Sequence, residues 1–288
     1  MGIALTQDQK DLAEAVREFT AKHAPVARTR EEFARLAVGG LPGGWEALTA
    51  QGFLAIHLPE SAGGDGGGVT ELAVLLEETA RGLVPGPLLS TVTVSLAVSR
   101  HGPAGLLPEF AAGATAGCAT SPAGLRAVPG PAGGWLVTGV SAPVLGALSG
   151  RFLLLGAEGP GGDVWFVVPA ATLATLAIDP AESVDLTRDV GFVTLSGHPV
   201  AAGQALDVTT DELRSLMAAL FAAEAVGVAR WCQEAGPAYV KVREQFGRPV
   251  GSFQAVKHKC ARIFGQLEVL RPSTRASATS WSTWARPG

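Results

Sequence analysis

Charge is scarce in this chain. Asp, Glu, Lys and Arg together make up only 17% of its 288 residues. The net charge is −4 and the isoelectric point about 5.8, so the electrostatic footprint of a nucleic-acid partner is missing. Cysteine is nearly as rare: Cys118, Cys232 and Cys260 lie far apart, without metal or redox spacing, and an odd count argues against a disulfide framework. They read as small buried hydrophobes in a reducing cytoplasm. No charged-then-apolar signal peptide opens the sequence, and no apolar run of about eighteen residues suggests a membrane partner. Met1-Gly2-Ile3-Ala4-Leu5-Thr6 fits a myristoylation pattern letter for letter, but so short a pattern arises easily by chance. A disordered chain is excluded as well, because hydrophobic residues reach 47%.

What is present has a changing texture. Thr6 to Ala24 reads as an amphipathic helix, capped by Thr6, with Leu12, Val16 and Phe19 on one side. Further helices are expected at Arg30–Val38, Trp45–Gln51, Val69–Gly82, Leu88–Arg100 and Leu106–Ala112. In Val69–Gly82 the residues Leu72, Leu75, Leu76 and Thr79 are expected to face the core, and Glu71, Glu77 and Glu78 the solvent. The glycine-rich stretch from Gly52 to Gly68, with Pro59, lacks both the Lys-Ser/Thr of a phosphate loop and a dinucleotide fingerprint. It reads as a tight crossing between helices.

From about Cys118 to Val208 the chain turns to short apolar runs punctuated by Gly and Pro. Trp135–Thr138, Arg151–Leu155, Val164–Val168 and Gly191–Leu195 have strand length and β-branched or aromatic content. Their spacing suggests a compact β-barrel or sandwich. Near Thr210 helical texture returns. Asp211 is the expected cap of a long helix carrying Leu213, Leu216, Leu220 and Val228, and Pro237 is expected to kink it.

The next stretch gathers unusual polar groups around one turn. Gly247 is expected to end the long helix, Pro249 and Gly251 to break the chain, and Ser252 to cap a second helix through Val256, Ile263, Phe264 and Leu267. Arg243 offers a planar guanidinium, Phe246 a stacking face and Gln254 an amide, a set that suits the pyrophosphate and adenine of a dinucleotide. A helical hairpin with a solvated basic corner is the plainer reading of the same residues. After Leu270 the composition shifts to Ser, Thr, Arg and Pro without helical period, so 271–288 reads as a disordered tail or an out-of-frame end.

Arg-x-x-Phe-Gly followed by Phe-Gln, spanning Arg243 to Gln254, resembles the C-terminal signature of the acyl-CoA dehydrogenase family. Pro59-Glu60-x-x-Gly63-Gly64 resembles a second motif of that family, so the likeness extends over most of residues 1 to 270. It implies an α+β multidomain fold: an N-terminal helical domain (1–116), a middle β domain (117–208) and a truncated C-terminal helical bundle (209–270). It also implies FAD as cofactor, an acyl-CoA thioester as substrate, and a homo- or hetero-oligomer with another subunit of the family. Arg243, Phe246 and Gln254 would then reach a neighbouring subunit's FAD.

The likeness fails in places. Thr120-Ser121-Pro122-Ala123-Gly124 keeps only part of the family's flavin-ring segment, with Thr120 as the candidate contact. Pro143-Val144-Leu145 stands where a flavin-contacting hydroxyl is expected. The family's catalytic carboxylate sits late in the bundle or, in some members, on its first helix. Here the latter position falls near Met217, and Glu224 is the nearest carboxylate, with an ion pair to Arg230 as its structural alternative. The readings left open are a dehydrogenase subunit, a non-catalytic partner lending Arg243, Phe246 and Gln254 to a complete subunit, and a frameshifted remnant.

Overall fold

The computed structural model describes residues 4–173 and 175–284, so the Met1-Gly2 pattern lies outside the described residues. Six helices come first: α1 (Gln7–His23), α2 (Val26–Leu36), α3 (Trp45–Ala50), α4 (Val69–Arg81), α5 (Leu88–His101) and α6 (Leu107–Ala111). Six strands follow, β1 (Ala116–Ala119), β2 (Leu125–Pro129), β3 (Trp135–Val140), β4 (Val144–Leu145), β5 (Phe152–Gly159) and β6 (Gly162–Pro169). One turn of helix, α7 (Ala170–Leu173), leads to β7 (Ala177–Pro180), β8 (Val190–Val200) and β9 (Ala205–Leu206). The chain ends in α8 (Thr210–Val242), a small hairpin of β10 (Glu244–Gln245) and β11 (Arg248–Pro249), and α9 (Gln254–Trp284).

These elements form two compact units. One comprises residues 23–68 and 85–218, the other 1–22, 69–84 and 219–288. The first unit holds the β-barrel. Strands β1, β4, β8, β3, β2 and β5 pair in that order, and β1 pairs in parallel with β5, which closes the ring. Closure removes the free edges that an open sheet would expose. β6 and β9 extend the sheet from β5, and β7 flanks β8. Phe152, Leu154, Phe166, Val193 and Leu195 are buried among these strands. Helix α5 of the same unit is buried all round from Leu88 to Val98, including Ser90, Thr91, Thr93 and Ser95. Those hydroxyls cost nothing unmet, because each bonds locally or to the barrel: Thr91 Oγ1 accepts from Ala116 N at 3.0 Å, and Thr93 donates to Leu89 O at 2.7 Å.

The second unit is helical. Thr6 caps α1 as expected, with a reciprocal bond to Gln9: Gln9 N to Thr6 Oγ1 at 3.2 Å and Thr6 N to Gln9 Oε1 at 3.1 Å. α4 and α8 approach closely at Gly227, where a Cβ would stand 2.2 Å from the Glu77 carbonyl oxygen. Arg230, nearly one turn on, therefore reaches α4.

Several expectations are corrected. Glu77 and Glu78 are not solvated: both are buried, with Arg230, Arg271 and Arg275 on Glu77 and Arg230 and Arg17 on Glu78. Periodicity puts charge outside, but four guanidiniums compensate these two carboxylates inside. The cap of α8 is Thr209, whose hydroxyl accepts from Glu212 N at 3.2 Å, while Glu212 Oε2 accepts from Thr209 N at 2.9 Å. Pro237 lies inside α8, where the sequence places it, and does not end the helix. Gly247 lies in the hairpin turn rather than at a helix end, and Ser252 belongs to a short 3-10 turn before α9. The segment read as a disordered tail is helical to Trp284, and 285–288 lie outside the described residues. Its Ser and Thr hydroxyls bond back to carbonyls one turn earlier, as Ser273 does to Val269 O at 3.0 Å. Of the cysteines only Cys118 is buried, and burial pushes its thiol up; Cys232 is exposed and Cys260 intermediate. α8 also has the length and hydropathy of a membrane span, yet Leu213, Leu216, Leu220 and Val226 on it are packed inside.

Candidate cofactor-binding corner

The hairpin between α8 and α9 is built by two residues with positive φ. Phe246 has φ 55° and Gly247 φ 70°, the signature of a tight turn whose twist matches an antiparallel pair. Glu244 pairs with Pro249 and Gln245 with Arg248, and Val250 N donates to Arg243 O at 2.7 Å to close the loop. Gly251 is required next, since a Cβ there would stand 2.8 Å from Val240 O.

This geometry gathers three of the sequence-derived site residues. Arg243, Phe246 and Gln254 are all exposed around the one turn. The Phe246 ring is 90% exposed. Neither the Arg243 guanidinium nor the Gln254 amide has a side-chain partner among the described residues. A free planar fork, a bare aromatic face and a free amide fit a phosphate-linked heteroaromatic ligand. The pieces of a dinucleotide meet that description.

Thr120 belongs to the barrel unit, not to this corner. It is exposed just beyond β1, and its hydroxyl faces the Pro143 carbonyl at 3.5 Å. Pro143 leads into β4, where Val144 is buried and Leu145 half-buried, so no hydroxyl is set there. The Thr120–Gly124 loop is held from beneath: a Cβ on Gly156 would sit 2.9 Å from Pro122 Cα and 3.0 Å from the Trp165 ring. Glu224 is half-buried on α8. The Arg230 that the sequence offered as its partner donates instead to Glu77 at 2.8 Å and Glu78 at 2.7 Å.

Sequence reasoning missed His57. It is buried in the turn after α3, its Nε2 lies 2.8 Å from Ser95 Oγ, and its Nδ1 has no hydrogen-bond partner. Burial, and then the charge of Arg100, lower its pKa to about 3. No spacing signal marks it, because its partner comes from α5.

A closed barrel with helices before and after it in chain order is the fold of a flavin-dependent dehydrogenase. The chain belongs to the acyl-CoA dehydrogenase family. Residues 6–113 match the family's N-terminal domain and residues 212–283 its C-terminal domain. The second match passes Leu270, against the out-of-frame reading of the end. Acyl-CoA dehydrogenase FadE34 of Mycobacterium tuberculosis is 34% identical over 82% of this chain, which covers only 32% of that protein's length. Acyl-CoA dehydrogenase IpdE2 of Mycolicibacterium smegmatis is 31% identical over 98% of this chain and 80% of its own. Among solved structures, the Tcur3481–Tcur3483 steroid ACAD (G363A variant) is 30% identical with a TM-score of 0.88, over 96% of this chain and 78% of that one. Other structures of the same fold include a complex of two proteins and proteins solved with FAD or FADH2.

Proposed function

We propose that this chain is an acyl-CoA dehydrogenase-like flavoprotein subunit of a cytoplasmic oligomer, and that Arg243, Phe246 and Gln254 hold the FAD of a neighbouring subunit. The observation that carries this reading is the exposed hairpin, where Arg243 and Gln254 have no side-chain partner among the described residues and the Phe246 ring is largely open. Arg243 suits the pyrophosphate, to which it can donate two parallel hydrogen bonds. Phe246 suits the adenine face, and Gln254 offers both a donor and an acceptor to its edge or to the ribose. The barrel end contributes less, since Thr120 is the one candidate there and its hydroxyl faces Pro143.

Bound FAD supplies the acceptor for the hydride that leaves the β-carbon of the acyl thioester. The α-proton needs a carboxylate whose pKa burial beside substrate can raise. Glu224, half-buried on α8, is the candidate this chain provides. The likeness to a steroid ACAD supports a ring-bearing acyl-CoA as substrate, and its two-protein name supports a hetero-oligomer. The test uses the purified flavin-loaded oligomer with an acyl-CoA and an artificial electron acceptor. Glu224→Gln should abolish turnover while flavin stays bound; undiminished turnover would remove Glu224 from the mechanism.

A further inference from the structure

Phe246 runs against stability twice. It is a non-glycine residue at φ 55°, in the left-handed region, and it leaves a benzyl group 90% exposed. Asn before Gly247 would suit this turn better and expose no ring. Strained, exposed residues that persist are held by their surroundings and point to function.

Here the surroundings are specific. The Phe246 ring meets the Phe253 ring edge-on, with centroids 6.1 Å apart and planes at 83°. Phe253 is in turn covered by Arg248, whose Cζ lies 4.2 Å from the ring centroid. Arg248 is fixed on β11 opposite Gln245, and Phe253 follows the Val250–Ser252 turn. The three side chains thus form one chain of contacts, cation on ring and ring on ring. Its outer end is Phe246.

We propose that Arg248 and Phe253 are positioning residues that hold the Phe246 ring ready to stack on a flat heteroaromatic ligand, and that the strained turn is retained for this role. The ligand's identity, the adenine of FAD, rests on the function proposed above. Arg248 is engaged by Phe253, which leaves Arg243 as the free fork for phosphate.

The experiment has a ligand-free arm and an FAD arm, both on the full chain. A single 4-fluorophenylalanine at position 246 should give a fluorine signal displaced from that of the free amino acid. Arg248→Met and Phe253→Leu should each move it toward the free value, and Arg248→Lys should restore part of the displacement. An unmoved signal in both variants overturns the proposal. Phe246→Asn should raise the melting temperature by about 2–4 °C by relieving the turn; a fall overturns the strain argument. In the FAD arm, quenching of flavin fluorescence by the native oligomer should weaken about tenfold in Arg248→Met and Phe253→Leu. If Arg243→Ala weakens FAD binding and those two do not, the positioning role fails and the proposed function stands. If Arg243→Ala is also without effect, the proposed function fails.

Discussion

Arg230 donates from a single nitrogen to both Glu77 and Glu78, at 2.8 Å and 2.7 Å. The two carboxylates are adjacent in sequence and would repel each other if buried alone. Arg17, Arg271 and Arg275 complete their neutralisation, so α4 is tied to α1, α8 and α9 through one cluster. Removing a partner from a buried pair leaves uncompensated charge. Arg230→Ala should therefore destabilise the protein by about 2–4 kcal/mol, below the full cost of a wholly buried pair because three other arginines remain. Urea unfolding measures it. A loss below about 0.5 kcal/mol, the usual size for a surface substitution, would mean the cluster is held loosely.

His57 sets a pH dependence. Its folded pKa is about 3 against an ordinary 6.5, because burial disfavours the charged imidazole. The unfolded chain therefore takes up the proton first. Stability is full above the unfolded pKa and falls as pH drops from about 6.5 toward 3. Between pH 7 and pH 5 the loss should be about 2 kcal/mol. His57→Gln should flatten that slope in denaturant melts recorded across this range, and an equal slope in the variant would assign it elsewhere.

The end of α9 should contribute to stability. Arg271 reaches Glu77 at 3.0 Å, Arg275 reaches it at 3.3 Å, and Ala278 is buried. A stop codon after Leu270 removes all three. Thermal melting should then fall by at least several degrees, since about 1 kcal/mol shifts a domain this size by about 2–4 °C. An unchanged melting curve would show that 271–284 contributes nothing to the fold.

Much of this was legible in the sequence, and the reasons differ by element. The strands around Trp135, Leu153, Trp165 and Val193 announced themselves by short β-branched and aromatic runs between glycines. Thr6 was readable as a cap because its partner Gln9 is three residues away. The grouping of Arg243, Phe246 and Gln254 around one turn was readable because they are close in sequence. Glu77 was misjudged because its partners lie 153, 194 and 198 residues further on, where no local period can reveal them. The helicity of 271–284 was hidden for the same reason: Arg271 and Arg275 look solvated until α4 is set beside them. Ring closure between β1 and β5 is likewise a long-range pairing.

The last two helices carry apolar side chains that the chain itself leaves uncovered. Val242, Phe264, Val269 and Leu270 are 75%, 53%, 68% and 50% exposed. A few hundred Å² of such surface costs several kcal/mol in water at about 25 cal/mol per Å². Size exclusion with light scattering should find an oligomer, and Phe264→Glu with Leu270→Glu should shift it toward monomer. A sharp monomer peak at every concentration would contradict this.

The most direct test of the account is flavin content. The oligomer purified after loading with FAD should show flavin absorbance that survives gel filtration, and Arg243→Ala should lose most of it while unfolding at the same temperature, since the exposed guanidinium has no partner within the described residues. Retention of FAD at the wild-type level by Arg243→Ala would contradict the assignment of this corner to the cofactor.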